Sequence, residues 1–361
     1  MTGAAACLAG FDGIAVVIHG SSGCYYYPTT LLHAPLHGTF ILENEVIFGS
    51  EDRLREVITG LEGTGKRIAI ITTCVPAILG EDIQSMLTDP DVILVDSPGF
   101  SGDVEAGYAN AIARLGPRID PGTPGVNIDG ACLFDPFSGG NVQEIRRLFA
   151  LASVPVGTIF CQDRLEKVHH AAPLTVGTNA DFPSGVGKLL GSTLGFDAIR
   201  ATFQEIGNRV EGADIDPVLL ELRQQEERIV RACDKYLQRF DPPSTAIFAG
   251  YSYARFAAEV LDRYLDAEIC CIGSRNAAGS SKYPVTRVDG ISQIRDLITV
   301  HSPDLVIGSS FERAISGDAA FVGVIPPLRG TVRLSPAPLA GINGTLSFVE
   351  QVLNACMDRK L

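Results

Sequence analysis

The chain nowhere contains a run of roughly 18 apolar residues free of Gly, Pro or charge, the length a membrane-spanning helix needs. Its first ten residues, MTGAAACLAG, hold no Lys or Arg and so lack the basic region of a signal peptide; the expected compartment is the cytoplasm. Basic side chains are in deficit, 29 against 42 acidic, for a net charge of −13. Such a chain repels phosphate backbones, which disfavours nucleic-acid binding as its main task. There is no CxxC pair, and the nine Cys are an odd number, which does not read as a disulfide framework. In a cytosolic protein these thiols read as buried core with a few metal or cluster ligands among them. Tryptophan is absent, and that absence carries no inference.

What is present is a rhythm of short apolar strand, glycine-bearing loop and amphipathic helix. Apolar residues make up 46% of 361, enough for large cores, and the 38 Gly and 21 Pro are spread along the length. The segments 14–20, 67–74 and 91–99 read as strands, and 51–62 and 104–115 as helices. Strands without polar alternation imply burial on both faces, hence parallel sheets between helix layers. The pattern recurs after residue 124, with strands at 125–130, 156–160 and 173–178, helices at 141–153 and near 185–196, and a long helical stretch over 201–239. After Asp241-Pro242-Pro243 it recurs again, with strands at 245–250, 268–274 and 304–310 and a helix at 252–265. The expected architecture is α/β, in three Rossmann-like units with mostly parallel sheets: 1–123, 124–240 and 241–361.

In open α/β sheets ligands sit beyond the carboxyl ends of the strands. Three loops there hold the chemistry. His19-Gly20-Ser21-Ser22-Gly23-Cys24 follows the first strand; its glycines, Gly20 and Gly23, permit tight or positive-φ turns that let a thiol approach a bulky inorganic group. Thr72-Thr73-Cys74-Val75-Pro76 ends the next strand and runs into Gly80-Glu81-Asp82, a helix-opening signal. Asp96-Ser97-Pro98-Gly99-Phe100-Ser101-Gly102 follows the third, beside the other two. A glycine turn with an ordinary buried Cys would explain either thiol alone. Two Cys at strand ends of one unit are more specific, yet an iron–sulfur cluster takes four, so a symmetric pair of chains would be needed.

Together these segments resemble the nitrogenase component 1 family. HGSSGC resembles its HGPxGC loop, with Ser21 where that pattern has Pro. TTCVPAILGEDI resembles TTCxxxxIGDDI, and SPGFSG resembles TPGFxG. LENEVIFGSEDRL, VNIDG, GGNVQEIRRLF, HSPDLVIGSS and GINGTLSFVEQVLNA resemble further landmarks, so the likeness covers most of the chain. The departures choose among members. The chain is compact, has no third Cys at the family's usual upstream place (Cys7 is too close to Cys24), and has no Cys and His pair for an iron–molybdenum cofactor, His301 standing alone. In this it is similar to the Ni-sirohydrochlorin a,c-diamide reductive cyclases of coenzyme F-430 biosynthesis.

The resemblance implies a homodimer sharing one 4Fe–4S cluster held by Cys24 and Cys74 of each chain. It also implies an ATP-hydrolysing iron protein as electron donor, and a nickel tetrapyrrole as substrate. ATP would be used by that partner: Gly60 to Arg67 mimics a P-loop, but Arg67 stands where Ser or Thr should be and the stretch precedes a strand. His33 and His37 are candidates for proton donation, against a reading as surface His. Tyr25-Tyr26-Tyr27 could stack on a macrocycle, line a dimer interface or form half-buried core. Arg329 and Arg333 could pair with substrate carboxylates or simply make surface ion pairs. Other readings compete: a related tetrapyrrole reductase, a scaffold of the same family on which a metallocofactor is assembled, and a periplasmic-type binding protein or sugar-nucleotide enzyme with three α/β units and incidental Cys.

Overall fold

The computed structural model describes residues 1–361 except 88, 277–281, 284, 333 and 361. It is α/β, and its contacts divide it into two compact units. The first comprises Met1–Phe134, Gly157–Pro173 and Phe182–Gly187; the second comprises Asp135–Val156, Leu174–Asp181 and Lys188–Leu361.

The first unit is built on a parallel sheet of β1 (Ile14–His19), β2 (His37–Gly38), β3 (Arg67–Thr72) and β4 (Ile93–Asp96), in the order β2-β1-β3-β4. Both faces are buried, as the unalternating sequences require. Val16, Ile18, Ala69, Ile71 and Val95 pack with Tyr108 and Ile112 of the helix Val104–Leu115, while Ala15, Val17, Ile68 and Ile70 pack with Leu54 and Leu61 of the helix Glu51–Leu61. Each fully buried Val, Leu or Ile contributes about 1.5–3 kcal/mol, so the two layers hold the sheet rigid. Register matters for function: His19 pairs with Thr72, and Thr72 with Asp96. The carboxyl ends of β1, β3 and β4 are therefore level, and the three loops after them start side by side.

The middle of the chain supplies β5 (Val126–Asp129), β6 (Val156–Ile159), β7 (Leu174–Gly177) and β8 (Lys188–Ser192), with β7 and β8 parallel. Here the sequence expectation of a helix near 185–196 is corrected. Residues 188–192 are strand, drawn into a ladder with β7, and the helix begins only at Phe196. The stretch 201–239 likewise holds parts of two helices, Phe196–Arg209 and Asp216–Leu237. The second unit ends in a parallel sheet of β9 (Ser244–Phe248), β10 (Glu268–Ser274), β11 (Val285–Arg287), β12 (Leu305–Gly308) and β13 (Ala320–Gly323), in the order β11-β10-β9-β12-β13. Among the described residues no helix is long and apolar enough to cross a membrane.

Candidate functional site

Cys24 and Cys74 both lie in the first unit, in the first turn of helices that start where strands end. Ser22–Leu32 follows β1, with Ser21 at its N-cap; Cys74–Leu79 follows β3, with Thr73 at its N-cap. The two loops are pinned together. Thr73 donates its N–H (3.2 Å) and its hydroxyl (2.9 Å) to the His19 carbonyl. Gly20 is fixed by this approach, since a Cβ there would lie 1.9 Å from Thr73 Oγ1. Positive φ is not the reason at either glycine of the loop, and at Gly23 a Cβ would meet only Ser21 Oγ at 3.9 Å.

Both sulfurs are partly exposed and unbridged. Each receives a hydrogen-bond donor. The Gly99 N–H points at Cys74 Sγ at 3.1 Å, which brings the third loop onto the second cysteine. The Ser21 hydroxyl reaches Cys24 Sγ at 3.7 Å in place of capping its helix, an interaction that the Pro of the family pattern could not make. The Met1 amino group, bonded to Ser97 Oγ at 2.7 Å, has its pKa lowered by burial, an effect opposed by Cys74 and Cys24. Cys7, Cys132 and Cys161 are fully buried in the core of the same unit, with Cys7 and Cys161 Sγ 3.5 Å apart. Among the described residues no three His, Cys, Asp or Glu side chains group to hold a metal ion.

Behind the loops lies a buried polar row that sequence reasoning missed. His19 is fully buried; its Nδ1 faces Thr39 Oγ1 at 3.1 Å and its Nε2 faces Ser50 Oγ at 3.1 Å. Ser50 donates its hydroxyl to Glu81 Oε2 at 2.6 Å and its N–H to Glu81 Oε1 at 2.9 Å. A hydroxyl has one proton, so Ser50, which gives its own to Glu81, accepts from Nε2–H. Burial lowers the pKa of the ring against the opposing pull of Glu81, which favours the neutral form with Nδ1 accepting from Thr39. The available signal was a His and a Glu inside the two cysteine motifs, but only the fold reveals that they meet through Ser50.

The remaining candidates are scattered. His33 ends the first cysteine helix in a left-handed conformation and His37 starts β2; both are exposed, and among the described residues neither ring has a hydrogen-bond partner. Tyr25 is half-buried, its hydroxyl donating to the Leu36 carbonyl and its ring edge-on to Phe40, whereas Tyr26 and Tyr27 are exposed. Arg329 belongs to the second unit, is exposed and stacks over Phe311. Arg333 lies outside the described residues.

A profile of the nitrogenase component 1 type oxidoreductases matches residues 1–178 and 184–357. The chain belongs to this family. A nitrogenase molybdenum-iron protein beta chain of Acidithiobacillus ferridurans is 28% identical over 180 residues, 40% of this chain and 33% of that protein. A nitrogenase iron-molybdenum cofactor biosynthesis protein NifE of Clostridium pasteurianum is 22% identical over 294 residues, 72% of this chain and 64% of that protein. The nitrogenase component 1 chain thus spans about a third of the length of the beta chains it matches. The solved structure of nitrogenase Cp1 at pH 6.5 superposes with a TM-score of 0.83, covering 99% of this chain and 92% of that one at 16% identity, a likeness of fold.

Proposed function

We propose that the chain is the catalytic component of a nitrogenase-like reductive cyclase that acts on Ni-sirohydrochlorin a,c-diamide in coenzyme F-430 biosynthesis. The observation that carries this reading is the pair Cys24 and Cys74, two partly exposed thiols at level strand ends, each facing a donor. The donor set fits half of a four-thiolate site, and a second copy supplies the other half. A bound 4Fe–4S cluster supplies single low-potential electrons, delivered by an ATP-hydrolysing iron protein. The chain's own part is to hold two thiolates, with the Gly99 N–H and Ser21 O–H tempering the charge on sulfur. Exposed apolar side chains beside the loops, Tyr26, Ile47, Phe48, Ile78 and Phe100, form the face of a homodimer and exclude water there. In this reading His33 and His37 carry protons toward the reduced ring.

A second reading, a scaffold for metallocofactor assembly, is favoured by the NifE relative, whose match spans 72% of the chain. Anaerobic purification tests the shared premise: about four iron per dimer are expected, lost in Cys24→Ala. Protein that stays iron-free after anaerobic reconstitution sinks both readings. Turnover of Ni-sirohydrochlorin a,c-diamide with iron protein, ATP and reductant separates them, since a scaffold gives no cyclised product.

A further inference from the structure

Three polar side chains with no part in ligation lie behind the cysteine loops, each from a different segment. His19 ends β1, Ser50 sits in the turn between the helices Glu43–Phe48 and Glu51–Leu61, and Glu81 follows Gly80, the left-handed cap of the Cys74 helix. Gly80 lets the chain turn back so that the Glu81 N–H meets the Pro76 carbonyl (3.1 Å) and its carboxylate meets Ser50. The hydrogen bonds run without a gap: Gly20 N–H to Thr39 Oγ1 (3.0 Å), Thr39 to His19 Nδ1, His19 Nε2–H to Ser50, and Ser50 to Glu81. One end of this row is the Cys24 loop and the other is the Cys74 loop.

The row is not needed to join β1 to β3, because the strand ladder from Ile14↔Arg67 to His19↔Thr72 already does so. The ladder and the Thr73 bonds to the His19 carbonyl pin the first residues of the two loops, and what they leave free is the path of each chain beyond Gly20 and Thr73. Burying an imidazole and a nearly buried carboxylate (Glu81 is 11% exposed) costs desolvation that an apolar core would avoid, while a fully satisfied network selects one arrangement. Resting on the cluster reading above, we propose that His19, Ser50 and Glu81 are positioning residues that fix the spacing of Cys24 and Cys74 before iron arrives. Glu81 is the member that locks the second loop to the first.

The test compares full-length wild type, Glu81→Ala and Glu81→Gln. In the iron-free protein, iodoacetamide labelling of each thiol is followed by mass spectrometry, with core Cys7 reporting on unfolding. Glu81→Ala is expected to change the labelling rates of Cys24 and Cys74 severalfold while Cys7 stays protected, and Glu81→Gln, which can still accept the Ser50 N–H, to restore them. On anaerobic reconstitution with ferrous iron and sulfide, Glu81→Ala should bind iron about tenfold more weakly, as loss of outer partners of metal ligands does, and give an altered electron paramagnetic resonance signal. Wild-type labelling and loading in Glu81→Ala overturn the proposal. Should Glu81→Ala expose Cys7, Ser50→Ala is read in the same way, and exposure of Cys7 there too means a purely structural role, which also overturns it. Wild type that takes up no iron refutes the cluster reading, while the labelling arm still decides the positioning role.

Discussion

Gly99 presents its backbone N–H to Cys74 Sγ at 3.1 Å, and a Cβ at position 99 would stand 3.3 Å from the same sulfur. The loop after β4 therefore comes as close to the second cysteine as a side-chain-free residue allows. Gly99→Ala keeps the donor but pushes the sulfur by a few tenths of an ångström. The iron-free variant should keep its stability to within about 1 kcal/mol, because the site is at the surface. Iron bound after reconstitution should fall. Iron quantification beside a thermal melt checks this, and full iron content at unchanged stability would show that the loop does not bear on the sulfur.

The two glycines of the first loop should respond in opposite ways. At Gly20 a methyl group would collide with Thr73 Oγ1, itself bonded to the His19 carbonyl, so Gly20→Ala should cost about 1–3 kcal/mol of unfolding free energy. At Gly23, inside a helix with open space, Ala should be neutral or stabilise by about 0.5 kcal/mol through the unfolded state. Urea unfolding of the iron-free protein measures both. Equal effects would mean that the loop relaxes around Thr73.

In the second unit, Asp135 is buried, and burial raises its pKa from the usual 3.8 to about 6 although Tyr253, Phe137 and Asn179 all donate to it. A raised carboxyl pKa means that the native state binds more protons than the unfolded state between these values. The associated stability is fully present below pH 3.8 and is lost as pH rises through about 6. It amounts to roughly 3 kcal/mol. Asp181, also raised to about 6 by burial, adds in the same direction. The advantage of wild type over Asp135→Asn should accordingly shrink between about pH 4 and pH 7 by that order. A difference that does not vary with pH would mean that Asp135 titrates normally.

Much of this architecture was legible because it is local. β1 and β3 show unbroken apolar runs, and the helix Val104–Leu115 lies where its spacing put it. Residues 188–192 were not legible, since Gly-rich sequence without strong periodicity becomes strand only by pairing with β7. In the site, the strand-end cysteines could be read from their motifs. Glu81 reads there as a helix-opening residue, and only Gly80's left-handed turn and the distant Ser50 give it a partner. Some motif residues proved to be keystones of the fold: Asn141 of GGNVQ is fully buried and accepts the N–H groups of Leu339 and Ala340. A motif match alone could not tell such a residue from one that touches substrate.

Phe48 is 85% exposed and Ile47 71%, on a short helix whose following turn carries Ser50 into the row behind the cysteines. Large apolar side chains so exposed, with Ile78 74% exposed on the Cys74 helix, are costly to leave in water, and in the reading proposed above another chain covers them. If that chain is a second copy, the face and the shared cluster stand or fall together. The double variant Ile47→Glu, Phe48→Asp places like charges on both sides of the two-fold interface and should weaken the dimer by about two orders of magnitude or more, since two buried apolar anchors are lost. Sedimentation velocity at micromolar concentration should then show monomer. Reconstituted iron should drop with it although Cys24 and Cys74 are intact, while labelling of Cys7 stays slow. A double variant that remains dimeric and loads iron normally would put the partner's thiols elsewhere on the surface.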